Sequence, residues 1–272
     1  MRNFFSALFT GVRDRTRAVK AINEIRSTLS GASDEALRLR CRESDDLNEV
    51  IAITAITAEG VLGLRMFDVQ LEGALALAEG RIAEMQTGEG KTLAATPAVI
   101  WFAKAGGGVH VMTVNDYLAR RDAQWMGAIY QRLGFTVGCV LQEMNTAQRQ
   151  AAYACDITYA TANEIGFDYL RDQLALRPEE IVHRPFAAAL IDEADSILID
   201  EARIPLVIAG GEPELDRLSI RADNAVRSLR HGFDFTTEQN HRNVVLTDQG
   251  IREIEARFEL LLISSTSWHH FS

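Results

Sequence analysis

An α/β fold, a parallel sheet flanked by helices, is what this sequence predicts, and three observations predict it. From about residue 80 to 210, short apolar runs alternate with segments of helical periodicity. Strand–helix–strand crossovers produce that alternation, and they are right-handed and parallel. A glycine-rich turn, Met85–Gln86–Thr87–Gly88–Glu89–Gly90–Lys91–Thr92, separates the first apolar run from the first helix of that region. An acidic stretch, Asp192–Glu193–Ala194–Asp195, follows the last apolar run at once.

Taken in order, residues 1–65 read as helical. Met1–Thr10 sets Phe4, Phe5, Leu8 and Phe9 at helical spacing, and Arg13, Arg15, Arg17, Lys20 and Arg26 follow. A secretory leader would carry its charge before the apolar part. The expectation is an amphipathic helix, either resting on an anionic lipid surface or docking its Phe face on the rest of the chain. Val50–Leu64 is apolar on most of its faces, which predicts a buried helix. Strands are expected at Ile82–Met85, Val109–Val114, Thr136–Val140, Ile157–Ala160 and Ala187–Ile191. Helices are expected at Lys91–Lys104, Asp116–Leu133, Thr146–Ala154 and Asn163–Leu174. Gly210–Gly211–Glu212–Pro213 marks the expected boundary. Beyond it come a charged helix, short strands at Phe233–Phe235 and Asn243–Leu246, and a helix over Asp248–Leu262. Ile251, Ile254, Phe258 and Leu261 form one stripe of that last helix. The division is therefore 1–65, 66–211 and 212–272.

Composition narrows the function. The 272 residues are 47% hydrophobic and 24% charged, enough for one large domain or one domain and part of another. Asp and Glu outnumber Lys and Arg by 38 to 28, a net charge of −10. That balance opposes a non-specific grip on a nucleic-acid backbone. No apolar run approaches the ~18 residues of a membrane-spanning helix. Cys41, Cys139 and Cys155 make no metal-ligand spacing and are expected to be reduced, buried thiols.

The glycine-rich turn carries the chemistry. Backbone N–H groups of Thr87, Gly88, Glu89 and Gly90 in a tight, positive-φ turn can wrap phosphate oxygens. The helix N-terminus behind them adds partial positive charge. Lys91 would reach the outer phosphates and the Thr92 hydroxyl would ligate Mg²⁺. Met85 stands where the usual phosphate-loop pattern has its first glycine. The bland alternative is a glycine-rich turn between strand and helix. Asp192, at the carboxyl end of a buried strand, would hold Mg²⁺ through water, and Glu193 would polarise the attacking water. An acidic helix start favoured by the dipole is the alternative there. Gln70, in Phe67–Asp68–Val69–Gln70, offers an amide donor and acceptor that match adenine, so ATP is expected over GTP. The expected fold class is thus a P-loop NTPase of the RecA-like, helicase superfamily 2 type.

Longer stretches carry a resemblance. MFDVQ (66–70), AEMQTGEGKTL (83–93), GVHVMTVNDYLARRD (108–122), ITYATANEIGFDYLRDQ (157–173) and ALIDEADSILIDEARIPLVIAG (189–210) resemble the SecA family of bacterial preprotein translocation ATPases. The likeness spans residues 10–258. It implies Gln70 at the adenine, Gly88 to Thr92 at the phosphates, and Asp192 and Glu193 at magnesium and catalytic base. It also places Arg121 near the phosphates, while Arg171 and Asp172 read as a structural ion pair. Implied partners are a SecYEG-type membrane channel, preproteins and, through the N-terminal helix, anionic phospholipid, with a dimer possible in the family. Implied location is the cytoplasmic side of the cell membrane, peripherally bound. The segment after Gly211 is similar to the start of the family's preprotein cross-linking domain.

The departures are also informative. The motifs of the family's second nucleotide-binding lobe are not in these residues, nor are its zinc-binding cysteines. The stretch between Leu37 and Glu59 is shorter than the family's, and Ile204 replaces a threonine. Residues 262–272 match nothing in it, and the adjacent His269–His270 make a poor metal site. A truncated lobe that binds ATP weakly and hydrolyses it very slowly is therefore expected. A non-enzymatic ATP- or partner-binding fragment and a helicase lobe are the competing readings. Net charge and the TVNDYL-type stretch oppose the helicase.

Overall fold

The computed structural model describes residues 15–208, 223, 225–237 and 244–258. The expected arm at Met1–Thr10, the turn at Gly210–Pro213 and the tail 262–272 lie outside the described residues. The chain divides into two compact units, Met1–Ile208 and Ala209–Ser272.

The first unit opens with three helices, α1 (Thr16–Thr28), α2 (Asp34–Glu43) and α3 (Leu47–Leu62). Ser33 and Asp46 cap α2 and α3 by accepting backbone N–H bonds from Ala36 and Asn48. The α3 helix is buried from Val50 to Ala55 without a break, as its apolar circumference requires. Two more helices follow, α4 (Asp68–Ala78) and α5 (Lys91–Ala103), the latter starting at the glycine-rich turn.

The remainder alternates as expected: β1 (Val109–Thr113), α6 (Asp116–Arg132), β2 (Val137–Cys139), α7 (Thr146–Tyr153), β3 (Ile157–Thr161), α8 (Ala162–Leu174) and β4 (Ala188–Ile191). The strands form one parallel sheet in the order β2-β3-β1-β4. Strand pleating sends alternate side chains to opposite faces. Val109, Val111, Ile157 and Tyr159 join the main core with α3, α5 and α6, while Met112 and Ala160 pack with Tyr153 of α7 and Ile165 of α8. The sheet is thus covered on both faces. The two helical regions are not separate bodies, because residues of α1 to α3 share that main core.

Two expectations fail here. Ile82–Met85 is not a strand: among the described residues it pairs with nothing, and Ile82 is 82% exposed. An apolar run becomes a strand only where a neighbour offers ladder hydrogen bonds. Among the described residues, β4 pairs on its β1 side only. Only Cys41 is fully buried among the thiols; Cys139 and Cys155 are half-buried. All three are free, and burial pushes Cys41 and Cys139 up to about 11.

The second unit holds an antiparallel pair, β5 (Phe235–Thr237) and β6 (Val244–Leu246), and a helix, α9 (Asp248–Phe258). Thr247 ties the start of α9 to the turn before β5, its N–H donating to the Asp234 carbonyl and its hydroxyl to that of Phe233. Among the described residues, no helix is long and apolar enough to cross a membrane.

Candidate nucleotide site

The glycine-rich turn has the backbone that a phosphate loop needs. Gly88 and Gly90 lie at φ +93° and +78°, a region open to glycine and costly for other residues. Gly90 is the N-cap of α5, so Lys91 and Thr92 occupy that helix's first turn. The loop closes on itself through Glu89. Its N–H donates to the Gln86 carbonyl (3.2 Å), and its carboxylate accepts from the Gln86 N–H (2.8 Å). The Glu89 N–H, expected at the phosphates, has a partner within the loop itself. In this conformation that donor is already engaged.

Gln70 is likewise committed. It is 5% exposed; its Oε1 accepts from the Phe67 N–H (3.0 Å), the return half of a capping box on α4. Its Nε2 donates to the Glu89 carbonyl (2.8 Å). Both ends of the amide expected to read adenine thus have protein partners in this structure. Here Gln70 links the start of α4 to the phosphate loop, and a β-carbon at Gly90 would lie 2.3 Å from its Nε2.

Across from the loop, β4 delivers the carboxylates. The Asp192 N–H continues the β1–β4 ladder by donating to the Met112 carbonyl (2.9 Å), which fixes Asp192 at the carboxyl edge of the sheet. Its Oδ1 accepts from the Glu193 N–H (3.0 Å). Glu193 has φ +54°, an uncommon conformation for a residue with a side chain. Its side chain is exposed. Burial raises the Asp192 carboxyl, helped by the Glu193 and Asp122 carboxylates and opposed by the Glu193 N–H and Lys91.

Lys91, Thr92 and Asp192 line one cleft of about 70 Å³ that opens to solvent, with Val111 and Leu190 on its apolar floor. The structure therefore brings together the residues expected from the loop and from the acidic stretch. The cleft also contains Thr113 and Asp122, which sequence reasoning passed over. Asp122 was visible as the last residue of LARRD, but one carboxylate on a helix carries no signal by itself. Arg121 is exposed, and its Nε donates to Asp122 Oδ1 (2.8 Å). That hydrogen bond, with Asp192 contributing from further off, holds the guanidinium above its ordinary value.

Arg171 and Asp172 do not pair with each other. Arg171 binds Asp168 one turn earlier, and Asp172 accepts the backbone N–H of Val182 and of His183 (2.9 and 3.0 Å) and lies 2.8 Å from His183 Nδ1. Both are structural, as expected, through different partners.

Comparison with known proteins adds the decisive observation: a model of the SecA DEAD-like domain matches residues 4–257. The chain belongs to the SecA DEAD-like domain family. It is 50% identical over 248 residues to the protein translocase subunit SecA of Rhodopseudomonas palustris, covering 87% of this chain and 26% of that protein. The Myxococcus xanthus subunit is 48% identical over 250 residues, 88% of this chain and 27% of its own. SecA 1 of Nitrobacter hamburgensis is 47% identical over 266 residues, 93% and 28%. The chain thus spans between a quarter and a third of the length of these SecA proteins.

The SecA assignment agrees with the fold: a parallel sheet between helices, with Met85, Lys91 and Thr92 of the glycine-rich turn and Asp192 of the DEAD stretch lining one cleft. Among the described residues, no three His, Cys, Asp or Glu side chains cluster to hold a metal alone. Magnesium does not need such a cluster. It is usually bound by one or two carboxylates, substrate phosphates and retained waters. Thr92 and Asp192 supply hard oxygen donors of that kind.

Proposed function

We propose that this chain is the ATP-binding lobe of a SecA-type motor that couples ATP hydrolysis to protein translocation. The observation that carries the reading is the cleft holding Lys91 and Thr92 on one side and Asp192 on the other. Lys91 neutralises the outer phosphates, and the α5 N-terminus and the Gly88 and Gly90 backbone bind the inner ones. Thr92 and Asp192 would hold Mg²⁺, which supplies charge neutralisation between the phosphates. Glu193 stands next to Asp192 on an exposed turn, positioned to take a proton from water. Adenine selectivity runs through Gln70, which must release the Glu89 carbonyl or the Phe67 N–H to read the base.

The chain by itself is slow in this account. Lys91, Thr92 and Asp192 are only half-buried and Glu193 is exposed, so their fields are weakened by water. Arg121 is held by Asp122 rather than free to act at the phosphates. An arginine contributed to the transferring phosphate is worth 10³–10⁵ in comparable sites. The translocation role is taken from relatives named protein translocase subunits, and the partners proposed are those the SecA resemblance implies. They are a SecYEG-type channel, preproteins and an anionic membrane surface, with the chain peripheral on the cytoplasmic side.

Steady-state hydrolysis by the purified chain tests the catalytic part. Turnover well below one per second, lost in Glu193→Gln, is expected. Several ATP per second by the monomer would contradict it.

A further inference from the structure

Three neighbouring strands reach the same sheet edge at Thr113, Thr161 and Asp192, and their polar groups are used differently. The Thr161 hydroxyl caps α8 by accepting from the Glu164 N–H (3.1 Å). Thr113 is 2% exposed and its hydroxyl has no hydrogen-bond partner among the described residues, although it lines the cleft beside Lys91 and Thr92. A buried hydroxyl left unpaired costs free energy that valine, of nearly the same shape, would avoid.

Asp122 presents a second anomaly in the same cleft. It is 3% exposed, and the cation that meets it, Arg121, lies on the exposed side of α6. A buried carboxylate whose partner remains in water gains little from the pair, because desolvation outweighs a screened attraction. Neither residue is placed to serve the core. Both face the space between the phosphate loop and Asp192.

We infer that Thr113 and Asp122 are positioning residues that hold the water shell of the magnesium–phosphate group, an inference that rests on the nucleotide reading above. Magnesium gives up its waters reluctantly, and those waters donate outward. The Asp122 carboxylate accepts from them, and the Thr113 hydroxyl both accepts and donates. Asp192 then binds through an ordered water rather than a mobile one. Loss of such an outer contact typically weakens metal binding 10- to 100-fold.

The test is a titration of a fluorescent ATP analogue, with Mg²⁺ and with EDTA, against the full chain and its variants. Asp122→Asn and Thr113→Val are each expected to cut the ratio of Mg²⁺-loaded to metal-free affinity by about tenfold. Thr113→Ser is expected to restore it. An unchanged ratio in Asp122→Asn, or equal behaviour of Thr113→Val and Thr113→Ser, overturns the inference. Should Asp122→Asn lose its melting transition, the Val and Ser pair at Thr113 decides alone. If the unaltered chain binds no analogue in either buffer, the nucleotide reading itself falls, a result distinct from all of these.

Discussion

At Gly90 two constraints meet in one residue. Its φ of +78° costs about 1–3 kcal/mol for any other side chain, and its missing β-carbon leaves the place that Gln70 Nε2 occupies. Gly90→Ala should therefore destabilise the chain by that amount in urea and weaken nucleotide binding. Adding Gln70→Ala should recover part of the stability, since the clash goes but the strain stays. A neutral Gly90→Ala would contradict the geometry. Arg149 shows the same logic with charge. It is buried, 2.7 Å from both Asp168 and Glu164, and donates to the carbonyls of Met144, Leu141 and Gln142. Asp168 also receives the Tyr153 hydroxyl (2.8 Å). Arg149→Ala leaves buried carboxylates without their principal cation and should cost about 3–5 kcal/mol by urea unfolding. A loss below 1 kcal/mol would show that the network relaxes. Nothing in the sequence marked Arg149, because its partners come from a different helix and three loop carbonyls.

Among the elements, the parallel strands and their helices were legible because apolar runs of four or five residues alternate with long amphipathic segments. The strand expected at Ile82–Met85 was not settled by its own residues, since pairing depends on what lies beside it. Motif spacing put Lys91, Thr92 and Asp192 within reach of one cleft because a loop at a helix start and a residue at a strand end have fixed positions. It could not show that Gln70 and Glu89 are engaged with each other, which depends on α4 packing beside the loop. The β1 strand also carries a pH response. His110 is buried between α7 and the segment before β4, with His183 and Arg184 near its ring and Asp172 beside His183. Burial, with His183 and Arg184 nearby, pushes it down from 6.5 to about 4, against a backbone hydrogen bond at Ala188. The folded state thus keeps this imidazole neutral while the unfolded chain protonates it below pH 6.5. Stability from this residue is full above pH 6.5 and is lost as pH falls towards 4, by about 3 kcal/mol at most. His110→Gln should flatten the fall in melting temperature across that window. Identical slopes in the two proteins would contradict the assignment.

For the whole molecule, the fold follows from helices α1 to α6 and the sheet sharing one core, which holds the phosphate loop against the carboxyl edge of β1 and β4. The central claim is that this lobe binds magnesium and ATP through Lys91, and the most direct measurement is a titration of a fluorescent ATP analogue with Mg²⁺, run beside Lys91→Ala. The account predicts saturable binding that ATP competes away, that GTP competes away less well, and that Lys91→Ala abolishes. Binding that survives Lys91→Ala, or no binding by the unaltered chain, would contradict it.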